Sequence, residues 1–327
     1  MDIALPLFLI VISIIAIGKG SDWLTDSLIP IARRIGVSGS SVGLILVSAA
    51  VSLPEILVAI YATLKGYPAI SLGVVLGSII CNIGLMTGLS ALIKPLRVSS
   101  TIIYRDGIFS IIVPILVFAV SSGGQITQLE GFAFFLLFIP YIINVLLIEK
   151  QLSQKQKTAH IAETLIELDL IGFNFGKLKP GWFTFGLGLA LLLVGAQIFG
   201  GQLVGIATQF RINELVIGLT LGALGPSIPN IVAAYNATQK GMGEIAVSET
   251  LGSNIFTMLV TLGISAMLAP MVISDEWLNF DLPALILMSF LLFVFILTKH
   301  TISRREGATL LIGYVGIVAI QIVRSLI

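Results

Sequence analysis

Ser52, Pro54 and Glu55 stand together inside a run that is otherwise apolar from residue 42 to 64. Proline lacks the N–H that a helix needs, so Pro54 frees a carbonyl around residue 50. A free carbonyl at membrane depth is tolerated only where it is buried in protein or lines a cavity, and a hard cation is a natural partner for it. Glu55 follows directly, and a carboxylate at the centre of a span costs about 2.5–3.5 kcal/mol on insertion scales. Two readings of Glu55 are open on this pattern: a neutral glutamate hydrogen-bonded across helices, or a cation ligand or proton carrier. The next apolar run holds Ser78 and Asn82, four residues apart and so on one helix face. Gly73 and Gly77, spaced alike, let a neighbouring helix come close. A Ser/Asn pair alone is interhelical glue; facing a proline-broken glutamate helix, it becomes a pair of oxygen ligands.

A second set of the same kind lies 175 residues further on. Residues 43–91 and 218–266 align without a gap, with 19 identities in 49 positions. Ser52 matches Ser227, Pro54 matches Pro229, Lys65 matches Lys240, Gly77 matches Gly252, and Ser78 matches Ser253. Asn230 takes the place of Glu55 and Thr257 that of Asn82, while Pro226 adds a further break where the first copy has Val51. Glu249 precedes Ser253 by four residues and Thr257 by eight, so the three share a face, with the carboxylate about one turn to the cytoplasmic side. It either supplies a second negative charge to a site at Ser253 or pairs with polar groups of the inner vestibule. Glu244, nearer the water, reads as an interface residue.

The elements that must position these residues are transmembrane helices. Of the 327 residues, 57% are hydrophobic and 11% charged, far below the roughly 25% charge of soluble domains, and the mean hydropathy is +1.07. A span needs about 20 apolar residues. Ten are predicted, at 3–18, 42–64, 69–93, 103–121, 129–148, 181–200, 213–239, 244–269, 283–299 and 307–325. The first lacks the basic start and small-residue cleavage site of a signal peptide, being followed by Lys19 and Asp22. The odd-numbered connections hold 15 of the 18 basic residues, Lys19, Lys94, Arg97 and Arg105 among them; the other side has Lys65, Arg211 and Arg324. The positive-inside rule therefore puts both termini outside the cell.

Five spans per half is an odd number, so the second half enters the membrane upside down, and Lys65 falls outside where Lys240 falls inside. The fold expected is an all-α polytopic membrane protein of two inverted five-helix halves, 1–149 and 181–327. A cytoplasmic linker at 150–180 joins them, with a short amphipathic helix at AETLIELDL. Inverted repeats with broken helices meeting at the midplane mark secondary transporters.

Other classes fit poorly. A net charge of +1 offers nothing to nucleic acid. The single cysteine, Cys81, excludes a disulfide framework, and two histidines at segment edges, His160 and His300, are too few for a zinc centre. An intramembrane protease needs a mid-span histidine or aspartate pair, and the spans provide neither. Broken inverted repeats also favour rocking over the continuous pore of a channel.

The motifs SLPE at 52–55 and GSIICNIG at 77–84, answered by SIPN at 227–230 and GSNIF at 252–256, resemble the alpha repeats of the cation/calcium antiporter superfamily, nearest to the prokaryotic sodium/calcium exchangers. The resemblance extends to GSDW at 20–23, RRIGVS at 33–38 and the ten-span layout. It implies sodium/calcium antiport at one midplane calcium site flanked by sodium sites, with Na+ and Ca2+ as transported ions and no cofactor. The ligands it implies are Ser52, Glu55, Ser78, Asn82, Ser227, Asn230, Ser253 and Thr257, with backbone oxygens near Ser48 and Ala223. Its partners would be the lipid bilayer and small inorganic cations. The family carries acids where Asn230 and often Thr257 stand here, and threonines at the places of Val51 and Pro226. Calcium takes 6–8 oxygens and is usually neutralised by carboxylates. Here Glu55 remains, with Glu249 as the candidate second carboxylate, which implies weak calcium binding or, as the alternative, a proton- or monovalent-cation-coupled exchanger of the same fold.

Overall fold

The computed structural model describes residues 4–34, 49–151 and 178–324. In chain order its helices are α1 (Ala4–Arg34), α2 (Leu53–Leu64), α3 (Pro68–Ile93), α4 (Ser100–Ser121), α5 (Gln128–Gln151), α6 (Trp182–Phe210), α7 (Glu214–Gln239), α8 (Gly243–Leu268), α9 (Trp277–Leu297) and α10 (Arg304–Arg324). Among the described residues, nine helices are long and apolar enough to cross a membrane, and α2 is a shorter apolar helix. Residues 35–48, which hold the start of the predicted second span and Ser48, and the predicted amphipathic helix of the 150–180 linker lie outside the described residues.

Two basic residues counted with the connections lie within helices. Lys19 was expected in the first loop, yet α1 runs unbroken to Arg34. The Lys19 ammonium meets the Asp22 carboxylate at 2.7 Å, one turn away, and mutual neutralisation removes most of the cost of burying either charge. Arg105, counted with the connection between spans three and four, is buried in α4, where its Nε and Nη2 donate to the Asp106 carboxylate at 2.6–3.0 Å. Tyr141 of α5 donates to the same aspartate at 2.9 Å, and Arg105 reaches Ser248 of α8 at 3.0 Å. The pair thus ties three helices together.

Glycines set the spacing of the inner helices. A Cβ on Gly77 of α3 would lie 2.5 Å from the Leu219 carbonyl oxygen and 2.6 Å from the Ala223 Cβ, and one on Gly73 would lie 2.6 Å from the Leu215 carbonyl oxygen. Only glycine lets the α3 and α7 backbones meet so closely. Gly77→Ala is expected to destabilise the protein by at least about 1–3 kcal/mol, the usual cost of overpacking, read as a lower melting midpoint in detergent. An unchanged midpoint would mean that the two backbones are not in contact.

Four short strands lie in the connections: β1 (Leu96–Arg97), β2 (Gln125–Ile126), β3 (Met271–Val272) and β4 (Thr301–Ile302). β1 pairs antiparallel with β4, Leu96 opposite Ile302, and β2 with β3, Ile126 opposite Met271. Each ribbon joins a connection before residue 150 to one after residue 270. α5 and α10 each open with a capping box: the Thr127 amide donates to Glu130 at 2.7 Å before α5, and the Ser303 amide to Glu306 at 2.6 Å before α10. The helices α3 and α8 are almost wholly enclosed by the others, whereas α5 and α10 turn most of their apolar surface outward.

Candidate ion-binding site

The break expected at Pro54 is present. Helical backbone before residue 52 gives way to a turn at Ser52, and α2 starts afresh at Leu53 with Pro54 in its first turn. Proline is well placed there because the first-turn N–H groups have no helical partner in any case. Glu55 lies in that same turn, where the positive end of the helix dipole favours a carboxylate.

The second copy differs from expectation. α7 continues as regular helix from Ala223 to Gln239 through both Pro226 and Pro229, and the irregularity lies upstream as a π-helical segment, Gly218–Gly222. Each proline removes the bond to the carbonyl four residues earlier, at Gly222 and Gly225. The π segment ends at Gly222, the residue whose carbonyl Pro226 leaves without its helical partner.

Two further π segments begin at candidate ligands, Asn82–Thr87 in α3 and Thr257–Thr261 in α8, at matching positions of the two repeats. Such segments are frequent at functional sites, because the shifted hydrogen-bond register re-aims side chains and carbonyls.

The structure brings the candidates of both repeats together. Ser52 and Ser253 have hydroxyls 3.1 Å apart. Glu55 is 1% exposed, and its Oε1 accepts from the Ser227 hydroxyl at 3.3 Å and from the Asn230 amide at 3.4 Å. Asn82 donates to the Asn254 side chain at 3.2 Å. Ser78 lies one turn before Asn82 on α3, Thr257 one turn after Ser253 on α8, and both are buried. Ala223 is buried with its Cβ toward Gly77. Glu249 is buried one turn before Ser253.

Four of these residues present an oxygen that no group among the described residues satisfies: Glu55 Oε2, Ser78 Oγ, Asn82 Oδ1 and Thr257 Oγ1. An unsatisfied buried polar atom costs about 1–3 kcal/mol. Oxygen ligands and no nitrogen or sulfur are what a hard cation takes.

Sequence reasoning did not single out Asn254, Thr250 or Thr87. The Thr87 and Thr250 hydroxyls lie 2.7 Å apart, and Thr250 also reaches the Asn82 carbonyl at 3.4 Å. Thr250 and Asn254 are four residues apart, a spacing that could have flagged them. The repeat could not, since it sets Asn254 against Ile79.

The family described as "Sodium/calcium exchanger protein" matches residues 5–147 and 180–323. The sodium/calcium exchanger MaX1 of Methanosarcina acetivorans is 30% identical over 97% of this chain and 99% of its own. The putative antiporter CaxA of Alkalimonas amylolytica is 31% identical over 88% of this chain and 89% of its own. The solved structure of the sodium-calcium exchanger NCX_Mj soaked with Na+ and Sr2+ superposes with a TM-score of 0.66 at 27% identity, covering 97% of this chain and 99% of that one.

Proposed function

The chain belongs to the sodium/calcium exchanger family, a family of multi-pass membrane transporters rather than enzymes, and from that premise we propose that it exchanges sodium for calcium by alternating access at a site formed by both repeats. The observation that carries the reading is the meeting of Glu55 from the first repeat with Ser227 and Asn230 from the second. Ser52, Glu55, Ser78, Asn82, Ser227, Asn230, Ser253 and Thr257 are the side-chain ligands, with carbonyls near Ser48 and Ala223. Hydroxyl and amide oxygens with few carboxylates hold a hard cation weakly enough to bind and release it in each cycle.

The architecture proposed with it has ten spans, 42–64 being the second, in two inverted halves at 1–149 and 181–327 joined by a cytoplasmic linker at 150–180. The strand ribbons support this topology. They join connection 3–4 to 9–10 and connection 4–5 to 8–9, each time two connections that the ten-span count puts on the same face. The basic residues then set the termini outside.

Vesicles containing the purified protein, loaded with sodium and diluted into sodium-free medium, are expected to accumulate calcium, and a sodium ionophore should stop the uptake. Calcium entry that ignores the sodium gradient would overturn the coupling.

A further inference from the structure

A row of buried hydroxyls continues along α8 beyond the candidate site. Thr257, Thr261 and Ser265 follow Ser253 at four-residue intervals toward the helix end at Leu268. Each is at most 1% exposed, and none of the three hydroxyl oxygens has a hydrogen-bond partner among the described residues. Thr238 of α7 is likewise unpartnered among the described residues, whereas four other helical threonines bond back to the carbonyl four residues earlier: Thr25 to Ser21, Thr63 to Ala59, Thr220 to Val216 and Thr250 to Ala246. That is the ordinary refuge of a hydroxyl in apolar surroundings. The α8 row forgoes it at a cost of about 1–3 kcal/mol per group.

The row is also aligned. Four residues of α-helix overshoot a turn by about 40°, and the wider turn of the Thr257–Thr261 π segment takes up part of that drift. At about 6 Å per step, Ser253 to Ser265 spans about 18 Å, more than half of a hydrocarbon core about 30 Å thick. The matching positions on α3 are Asn82, Met86 and Ser90, so there the row is interrupted by Met86. No charged residue lies between Thr257 and Leu268. The cost of taking an ion out of water rises with the square of its charge, so a neutral hydroxyl lining suits a singly charged cation far better than a divalent one.

We propose that Thr261 and Ser265 line the route by which a monovalent cation of sodium size reaches the central site from the outer face, their hydroxyls replacing part of its water. The assignment of that ion as the coupling ion rests on the exchange reading above.

Cys81 is the only cysteine and is buried, so Cys81→Ala gives a background in which Thr261→Cys and Ser265→Cys can be labelled singly. A small cationic methanethiosulfonate applied outside intact cells is expected to modify both, several-fold more slowly when the medium contains sodium. In vesicles, Thr261→Val, which keeps the side-chain shape, should slow sodium–sodium exchange about tenfold, as for a lost hydrogen-bonding group, and leave calcium–calcium exchange unchanged. Unreactive cysteines in a protein that still transports would overturn the proposal, as would a Thr261→Val variant that slows both exchanges alike or neither. Sodium-protected labelling in a protein that carries no calcium would keep the route and remove the exchange reading.

Discussion

Glu55→Gln is expected to abolish calcium uptake into sodium-loaded vesicles while the variant purifies and melts as the parent does. The amide keeps the side-chain length, and the two contacts to Oε1 come from donors, Ser227 and Asn230, which an amide oxygen can still accept. What is lost is the negative charge and the acceptor capacity of Oε2, which no group among the described residues uses. Asn230 sharpens the expectation. An amide so placed stabilises an ionised Glu55 by donation, where a second carboxylate would repel it. Apart from Glu214 at the start of α7 and Glu244 and Glu249 at the start of α8, Glu55 is the only acid within the four helix segments that carry the candidate ligands. Removing it takes away the carboxylate that stands between Ser227 and Asn230 at the meeting of the two repeats, a deficit of several kcal/mol for a dehydrated cation in low dielectric. Normal uptake by this variant would mean that the glutamate is structural.

Glu249→Gln is expected to raise the calcium concentration for half-maximal uptake about tenfold or more, about 1.4 kcal/mol in binding, and adding Asn230→Glu should restore it. Glu249 lies one turn before Ser253, whose hydroxyl is 3.1 Å from Ser52. Its helix α8 is fixed against α3 by the Thr87–Thr250 and Asn82–Asn254 contacts. With Asn230 and Thr257 neutral, Glu249 is the nearest acid on the ligand-bearing helices that can share a divalent charge with Glu55. The double variant moves the charge to position 230, where the amide nitrogen is 3.4 Å from Glu55 Oε1. Repulsion between the two carboxylates would then be relieved only by a bound cation. Unchanged calcium dependence in Glu249→Gln would leave Glu55 as the sole carboxylate of the site.

Features that act within one helix or one repeat were legible in the order of the residues. Apolar runs of span length fixed the membrane class, because hydrocarbon rejects charge wherever a segment lies. Pro54 predicted the break at Ser52, because a missing N–H acts within one turn. The constant offset of 175 picked out Ser227 and Ser253 from Ser52 and Ser78, because two copies of one unit place their polar groups alike. Spacing could not say that Pro226 and Pro229 would sit in continuous helix, with the irregularity in a π segment upstream of them. It misjudged Lys19 and Arg105 as well, because a charge looks like a loop until its partner is seen, and Asp106 and Asp22 neutralise them within the helices. Only the tertiary structure decided that Ser52 meets Ser253, that Asn82 meets Asn254, and that Glu55 rests on α7. Those pairs are more than 160 residues apart in the chain, and no local periodicity encodes which faces of two helices meet. Gly73 and Gly77 bring α3 against α7, and the buried hydroxyls and amides then select the register in which most of them find a partner.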